Sequence, residues 1–342
     1  MGVDADAEPS DPDAASEAPP DAAPETGTAP EPEPGPGPGP ADPFEAYAAE
    51  PVPQAAVGAP GKDGRLELAF APEEDGRTRL VHDFARVPFH VSGTLDHDPH
   101  PDGVAVYVQS PTGGIAQGDR HDVAVAAHPG AVAHVTTGSA TKVQSMEANC
   151  ALADVELTAG EGSHLEYVPE PTILHADARF RQAVTVDLAP SATAVVSETV
   201  VPGRLARDER FAFERYRSRF RARGPDGLLA EDAVRMAPGR RDRDDRPGPT
   251  APGVLGDAAV HGSLYVLAPG SDGDRDLSDA LHEAAADGDA RAGATALPAG
   301  AGVAVRALGD RASEVTAALD RAHQVARSAL IDAGTIPGRK YP

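Results

Sequence analysis

The sequence predicts a mostly β fold, in which stacked antiparallel sheets are joined by a few helices, including an amphipathic helix near the C-terminus. Three observations favour this class. Short segments of alternating or continuous apolar residues recur from residue 65 onward. Turns containing Gly and Pro separate them at regular intervals. Before residue 250, no helical pattern stands between consecutive strands, as a βαβ unit would require.

The first sixty residues lie outside this pattern and are predicted to form a disordered acidic tail. Residues 1–50 contain 13 Asp and Glu residues, no Lys and no Arg, and include runs rich in Pro and Gly. Such a segment cannot bury enough apolar surface to offset its ordering entropy. It lacks the charged and apolar regions of a secretory signal. We therefore expect a cytoplasmic protein whose β-rich domain comprises residues 61–342.

Strands are expected where apolar residues alternate with polar ones or run without interruption. Arg65–Phe70 alternates with period two, whereas Val104–Val108 is almost entirely apolar and is expected to be a central strand. The other predicted strands are short and flanked by turn residues: Thr78–Phe84, Asp122–Ala127, Ala131–Thr137, Ala153–Thr158, Ser163–Val168, Val184–Leu188, Ala192–Thr199, Phe211–Phe220, Gly227–Glu231, Ala259–Leu267 and Val303–Leu308.

Two helices are expected beyond an exposed loop at residues 238–253, which is rich in Pro, Gly, Arg and Asp. The shorter helix is Leu277–Ala286. The longer helix, Ser313–Ile331, repeats apolar residues at three- and four-residue spacing. Gly334 is expected to close it, and Pro337 prevents its continuation.

The apolar stripe of the longer helix includes Leu319, Ala322 and Val325. An amphipathic helix presents such a stripe either to its own core or to a groove of a partner protein. We predict that these three residues contribute to partner binding.

Composition excludes several classes of function. The formal net charge is −24 and the only lysines are Lys62, Lys142 and Lys340, so phosphate backbones would be repelled and we expect no nucleic-acid partner. The acidic, lysine-poor surface indicates a halophilic origin. The single cysteine, Cys150, excludes an intramolecular disulfide and a multi-cysteine metal site. No apolar run is long enough to span a membrane.

Five motifs carry the functional information: Gly113–Asp119, Thr136–Lys142, Leu165–Leu174, Ser197–Arg204 and Arg210–Phe213. None of them holds a nucleophile and base in the arrangement that an enzyme needs. In this order and spacing they resemble the UreD (UreH) family of urease accessory proteins, and the resemblance extends from about Leu66 to the C-terminus. Gln117 and Gly138 depart from the residues that are usual in the family.

The resemblance implies a non-catalytic metallochaperone scaffold. Such a protein binds apo-urease together with UreF-type and UreG-type accessory proteins and assists nickel insertion into the urease active site. It would hold no tightly bound cofactor, and nickel would only pass through it. A water-filled passage that conducts nickel towards urease is implied in the same way.

The motifs contain six candidate residues for that passage or for partner contact. Glu166 and Glu170 are the first two, because carboxylates are hard, exchangeable ligands for a cation in transit. The other four are Thr141, Lys142, Asp119 and Glu198. Five of them have a structural alternative: solvated surface charge for Glu166 and Glu170, a strand end for Thr141 and Lys142, and a hairpin loop for Asp119.

A separate stretch, residues 96–102, is rich in possible metal ligands. Asp96, His97 and His100 stand close together there, and imidazole suits nickel. Two prolines make a hairpin loop an equally simple interpretation. The rival functional hypothesis, a β-sandwich metal-dependent hydrolase, would use this cluster together with Glu166.

Overall fold

The computed structural model describes residues 42–52, 61–238, 247–270, 274–334 and 336, and in these residues the mostly β prediction is confirmed. The strands are β1 (Asp63–Pro72), β2 (Thr78–Arg86), β3 (His90–Leu95), β4 (Gly103–Gln109), β5 (Arg120–Ala127), β6 (Val132–Thr137), β7 (Thr141–Val143), β8 (Ala151–Ala159), β9 (His164–Tyr167), β10 (Thr172–Leu174), β11 (Arg179–Leu188), β12 (Thr193–Val201), β13 (Arg215–Gly224), β14 (Gly227–Met236), β15 (Val260–Leu267), β16 (Arg291–Ala296) and β17 (Gly302–Gly309). The helices are α1 (Pro43–Ala48), α2 (Asp274–Ala286) and α3 (Ala312–Ile331).

Two sheets are stacked face to face, as predicted. Sheet A has the strand order β14-β13-β11-β8-β5-β1-β2, and sheet B has the order β16-β17-β15-β12-β9-β6-β4-β3, with β7 and β10 attached beside β12. The main core lies between the sheets. It joins Leu66, Val125 and Val186 of sheet A to Val106 and Leu165 of sheet B.

The expected antiparallel pairing is wrong for the centre of both sheets. Apart from β7 and β10, the chain alternates between the sheets from β4 to β13. Strand β5 pairs in parallel with β1, and each later strand of this series pairs in parallel with the strand that precedes it in the same sheet. A Pro-Gly turn such as that at residues 128–130 therefore crosses from sheet A to sheet B instead of closing a hairpin. Antiparallel pairing is confined to the flanks, for example between β13 and β14.

Part of the predicted tail is folded. Asp42 caps α1 by accepting a hydrogen bond from the backbone N–H of Phe44, and Phe44 and Tyr47 pack against Cys150. The prediction of a disordered tail is thus wrong for residues 42–52, because two aromatic residues supply the apolar surface that the flanking sequence lacks. Residues 1–41 and 53–60 lie outside the described residues.

Helices α2 and α3 cover the outer face of sheet B. They form a second core with strands β12, β15, β16 and β17. The start of α3 is fixed by Glu314, whose Oε2 accepts hydrogen bonds from the backbone N–H groups of Asp310 and Arg311. Among the described residues, no helix combines the length and the apolar character needed to cross a bilayer.

Some local predictions need correction. The strand expected from Phe211 begins at Arg215, because Phe211 has a left-handed backbone with φ 54°. Strands β3, β7, β10 and β16 were not predicted, since each is short or lacks a clear alternation of apolar residues. Of the loop expected at residues 238–253, residues 247–253 contain turns and bends, and residues 239–246 lie outside the described residues.

Candidate functional site

Four of the sequence motifs meet at one end of the sheets. Strand β10 pairs in parallel with β12 on one side and with β7 on the other, and Ile115 of the first motif bridges to Val143. Backbone hydrogen bonds fix the bridge, from the N–H of Ile115 to the carbonyl of Lys142 at 2.8 Å and from the N–H of Gln144 to the carbonyl of Ile115 at 2.8 Å. Motifs that are far apart in sequence thus form one small satellite sheet.

Gly114 is the residue that permits this approach. Its φ is +117°, and a Cβ atom there would lie 2.2 Å from the carbonyl oxygen of Lys142. No L-residue fits at that distance, and a side chain would also strain the backbone. The Gly-Gly pair therefore allows the first motif to reach β7.

Asp119 organises the same loop and does not face a cavity. It is fully buried, with Oδ2 accepting from the N–H of Ala116 at 2.9 Å and Oδ1 accepting from the N–H of Lys62 at 2.8 Å. The loop joins β4 of sheet B to β5 of sheet A, so the alternative of a hairpin loop is wrong in topology. A structural role for Asp119 follows from its contacts.

A cavity of about 170 Å³ lies between the sheets beside this motif cluster. Exposed residues form its rim, and buried residues such as Val108, Val155 and Phe180 form its interior. Four of the six candidate residues line it, namely Thr141, Lys142, Glu170 and Glu198.

Glu198 supplies the carboxylate inside the cavity. Its Oε1 accepts a hydrogen bond from the hydroxyl of Tyr216 and one from Nε2 of Gln182 at 3.3 Å, and both donors belong to sheet A. Burial raises the pKa of Glu198, although the hydrogen bonds from Tyr216 and Ser218 oppose the shift. The carboxylate therefore spans the gap between the sheets in an enclosed polar environment.

Glu170 and Lys142 are exposed at the rim. Partial burial, followed by the charge of Asp320, raises the pKa of the Glu170 carboxyl. In the part of the chain that the structure describes, no ion pair joins Lys142 to Glu166 or to Glu170. Thr141 lies beside Lys142 at the start of β7.

Glu166 lies on the opposite face of sheet B and does not line the cavity. Strand β9 ends at Tyr167, so its alternation does not extend to Glu170, and Tyr167 rather than Glu166 faces the cavity. Glu166 and Glu170 therefore do not share a wall of the cavity. Glu166 is instead fully buried beneath α3.

Four nitrogen atoms surround the Glu166 carboxylate. Oε2 lies 2.6 Å from Nδ1 of His134 and accepts from Arg327 at 2.5 Å, while Oε1 lies 2.8 Å from Nε2 of His164 and 3.2 Å from Nε2 of His323. Arg327 is itself fully buried and also bonds Asp98. We call these six residues the Glu166 network.

Within the described residues, His134, Glu166 and His323 are also the set whose ligand atoms converge, all within 4.8 Å of one another. Burial alone would raise the pKa of Glu166, but the charge of His323 and the hydrogen bonds from the histidines hold it well below its ordinary value. Arg327 adds a fixed positive charge and donates to Oε2 of Glu166, an oxygen that a bound cation would need. This geometry therefore favours a closed hydrogen-bond network over a cation site.

The cluster at residues 96–102 does not assemble the expected ligands. His97 lies 3.2 Å from the Tyr107 hydroxyl through Nε2, and Nδ1 of His100 accepts from the N–H of Asp102 at 3.2 Å. Asp96 is exposed. Asp98 of the same stretch and Glu166 are both bonded to Arg327, so the structure gives the hydrolase hypothesis, which uses this cluster together with Glu166, no support.

The stripe on α3 packs against sheet B. Leu319 is 3% exposed and Ala322 is fully buried, while Val325 is partly buried against the same core. A Cβ atom on Gly262 of β15 would lie 2.8 Å from Cδ1 of Leu319, which shows how closely the helix approaches. These residues therefore belong to the core, and the prediction that they bind a partner is not supported.

Sequence reasoning missed three residues of the cavity region. His121 and Gln182 line the cavity from sheet A, and Tyr216 bonds Glu198. The imidazole of His121 is buried, its Nε2 has no hydrogen-bond partner, and burial lowers its pKa. Alternation places His121 and Gln182 on inward faces, but only the stacking of the sheets shows what they meet.

Comparison with known proteins agrees with the motifs. The family model described as "UreD urease accessory protein" matches residues 62–340. A protein named urease accessory protein UreD from Haloarcula marismortui is 63% identical over 298 residues, covering 87% of this chain and 97% of its own.

More distant relatives carry the same name. UreD from Natronomonas pharaonis is 47% identical, covering 88% of this chain and 98% of its own, and UreD 2 from Streptomyces griseus is 38% identical, covering 80% and 92%. The haloarchaeal relatives confirm the halophilic origin predicted from the acidic composition. The chain belongs to the UreD family of urease accessory proteins.

Proposed function

We propose that this protein assists nickel insertion into apo-urease and that the cavity between its sheets carries Ni²⁺ in transit. The observation that supports this function is the placement of two carboxylates, with Glu170 exposed at the rim and Glu198 enclosed in the interior. The family supports a role in urease maturation.

The chemistry of the cavity suits weak, exchangeable binding. Carboxylate and hydroxyl oxygens attract a divalent cation without holding it tightly when they are few and spread out. A cation beside Glu198 would offset the cost of burying that carboxylate, which its raised pKa reflects. His121 offers an imidazole nitrogen farther along the lining.

The proposed partners are apo-urease, a UreF-type protein and a UreG-type protein, acting in the cytoplasm. In this scheme the chain is a scaffold without catalytic activity of its own. The motif cluster beside the cavity includes Gly113 and Lys142 and forms an ordered surface that such partners could recognise. The apolar stripe of α3 is instead packed in the core.

The test is urease activation at limiting nickel with purified components. We expect Glu198→Gln and Glu170→Gln to slow activation, with Glu198→Gln the stronger, because each removes a charge that attracts the cation. Glu283→Gln, an exposed glutamate on α2, is the matched control.

Complex formation with apo-urease and thermal stability must be measured in parallel. Normal activation by the double variant Glu198→Gln/Glu170→Gln would exclude this cavity as the nickel path. Loss of complex formation would assign these residues to docking instead.

A further inference from the structure

The outer face of sheet A is not covered by either of the long helices, since both α2 and α3 pack on sheet B. Strand β13 presents Arg217, Arg219 and Arg221 on this outer face, in alternation with buried residues that face the core. Three arginines on one strand face are unusual in a chain whose formal net charge is −24.

The strand register brings further arginines next to them. Arg217 lies directly opposite Arg181 of β11 and opposite Arg235 of β14. Like charges directly opposite each other in a sheet are destabilising. This row of three arginines across adjacent strands concentrates guanidinium groups on the outer face of sheet A.

A trough of about 190 Å³ runs between these side chains. Ala183 and Thr185 form its floor, because their short side chains stand opposite Arg219 and Arg221 in the register. Arg181, Arg217, Arg219 and Arg221 form its walls, with 23–34% of each side chain exposed. We call these six residues the arginine trough.

Carboxylates from the chain neutralise the trough only in part. Asp154 bonds Arg181, Asp42 bonds Arg217, and Glu231 bonds both Arg219 and Arg221. Arg219 and Arg221 share the one carboxylate of Glu231, so the four guanidinium groups of the trough keep more N–H donors than these three carboxylates occupy. Nε of Arg181 is buried and has no hydrogen-bond partner.

We propose that the arginine trough is a docking site for a carboxylate-rich segment of a partner protein. Guanidinium groups bind carboxylates in a planar, two-point geometry. Asp42, which lines the trough and bonds Arg217, shows that a carboxylate is accepted there. The site lies on the outer face of sheet A, whereas the proposed nickel path lies on its inner face, so the two functions are separable.

The test uses the full chain and a short fluorescein-labelled polyglutamate peptide, with binding followed by fluorescence anisotropy at about 1 M KCl. At that salt concentration the screening length is about 3 Å, so binding that persists requires direct contact. We expect the Arg219→Glu/Arg221→Glu variant to weaken binding at least about tenfold. Arg291→Glu, which alters an exposed arginine on β16 of sheet B, should retain wild-type affinity.

A second variant keeps the test decisive if charge reversal prevents folding. Ala183→Glu places a carboxylate on the trough floor, between the arginines. We expect it to raise the melting temperature and to abolish peptide binding, because it occupies the site from within the chain. Unchanged peptide binding by this variant, or an equal loss for Arg291→Glu, would overturn the proposal. A short oligothymidylate that bound more tightly than the peptide would also overturn it.

Discussion

Replacing Arg327 by Met is expected to destabilise the protein more than any surface substitution. Arg327 is fully buried and bonds Glu166, Asp98 and the carbonyl of Gly334. Its loss leaves Asp98 without its charged partner and leaves Glu166 with histidines alone, although both side chains are only 0–1% exposed. Removing one partner of a buried ion pair costs about 3–5 kcal/mol, which is a large share of the roughly 5–15 kcal/mol that holds a typical protein folded.

Urea unfolding followed by circular dichroism at constant KCl measures this loss. Arg327→Lys keeps the charge but cannot bond both carboxylates and the Gly334 carbonyl at once, so it should give an intermediate loss. Arg291→Met, which breaks an exposed ion pair with Asp257, is the control and should leave the midpoint unchanged. If Arg327→Met shifts the midpoint no more than Arg291→Met does, the view that the Glu166 network fastens α3 to sheet B is refuted.

Three further predictions concern other parts of the molecule. Gly114→Ala should lower the free energy of unfolding, measured with urea, by about 1–3 kcal/mol, because its Cβ would meet the Lys142 carbonyl. Gly113→Ala, whose Cβ would point into open space, should lower it less. Equal losses for the two variants would contradict this prediction. Stability should fall as the pH drops from about 6.5 towards 4, because burial and then the charge of Arg306 lower the pKa of His261 to about 4, and only the unfolded chain takes up that proton in this window. His261→Gln should flatten the slope, and an unchanged slope would assign it to other groups. Deleting residues 1–41 should leave the thiol of Cys150 unreactive towards a disulfide reagent, but deleting residues 1–60 should expose it by removing α1; equal reactivity would contradict the packing of α1.

The sequence contained enough information for the fold class and for the most buried strands. Val104–Val108 is almost entirely apolar, and β4 indeed lies inside sheet B between β3 and β6. The direction of pairing was not predictable, because a Pro-Gly turn at residues 128–130 has the same composition in a hairpin and in a crossing between sheets. The residues of a turn do not determine which sheet the next strand joins.

The site was predictable as a set of motifs but not as a geometry. Alternation puts Leu165 and Tyr167 on one face of β9 and Glu166 on the other, yet nothing local shows which face α3 covers. The partners of Glu166 come from distant positions, and Arg327 is 161 residues away. Glu198 was identified from its motif, whereas Tyr216 and Gln182, which hold it, become visible only when the sheets are stacked.

The large sequence separation between α3 and its acidic partners also has a consequence for synthesis. Glu166 and Asp98 lie 161 and 229 residues before Arg327, so a ribosome exposes both acids long before it releases their counter-charge. Contacts of such high sequence separation form late, after the closure entropy of the intervening chain has been overcome. A nascent chain that stops before α3 presents unpaired acids and an uncovered apolar sheet face, the features that chaperones and proteases act upon. Completion of the fold therefore waits for the synthesis of α3.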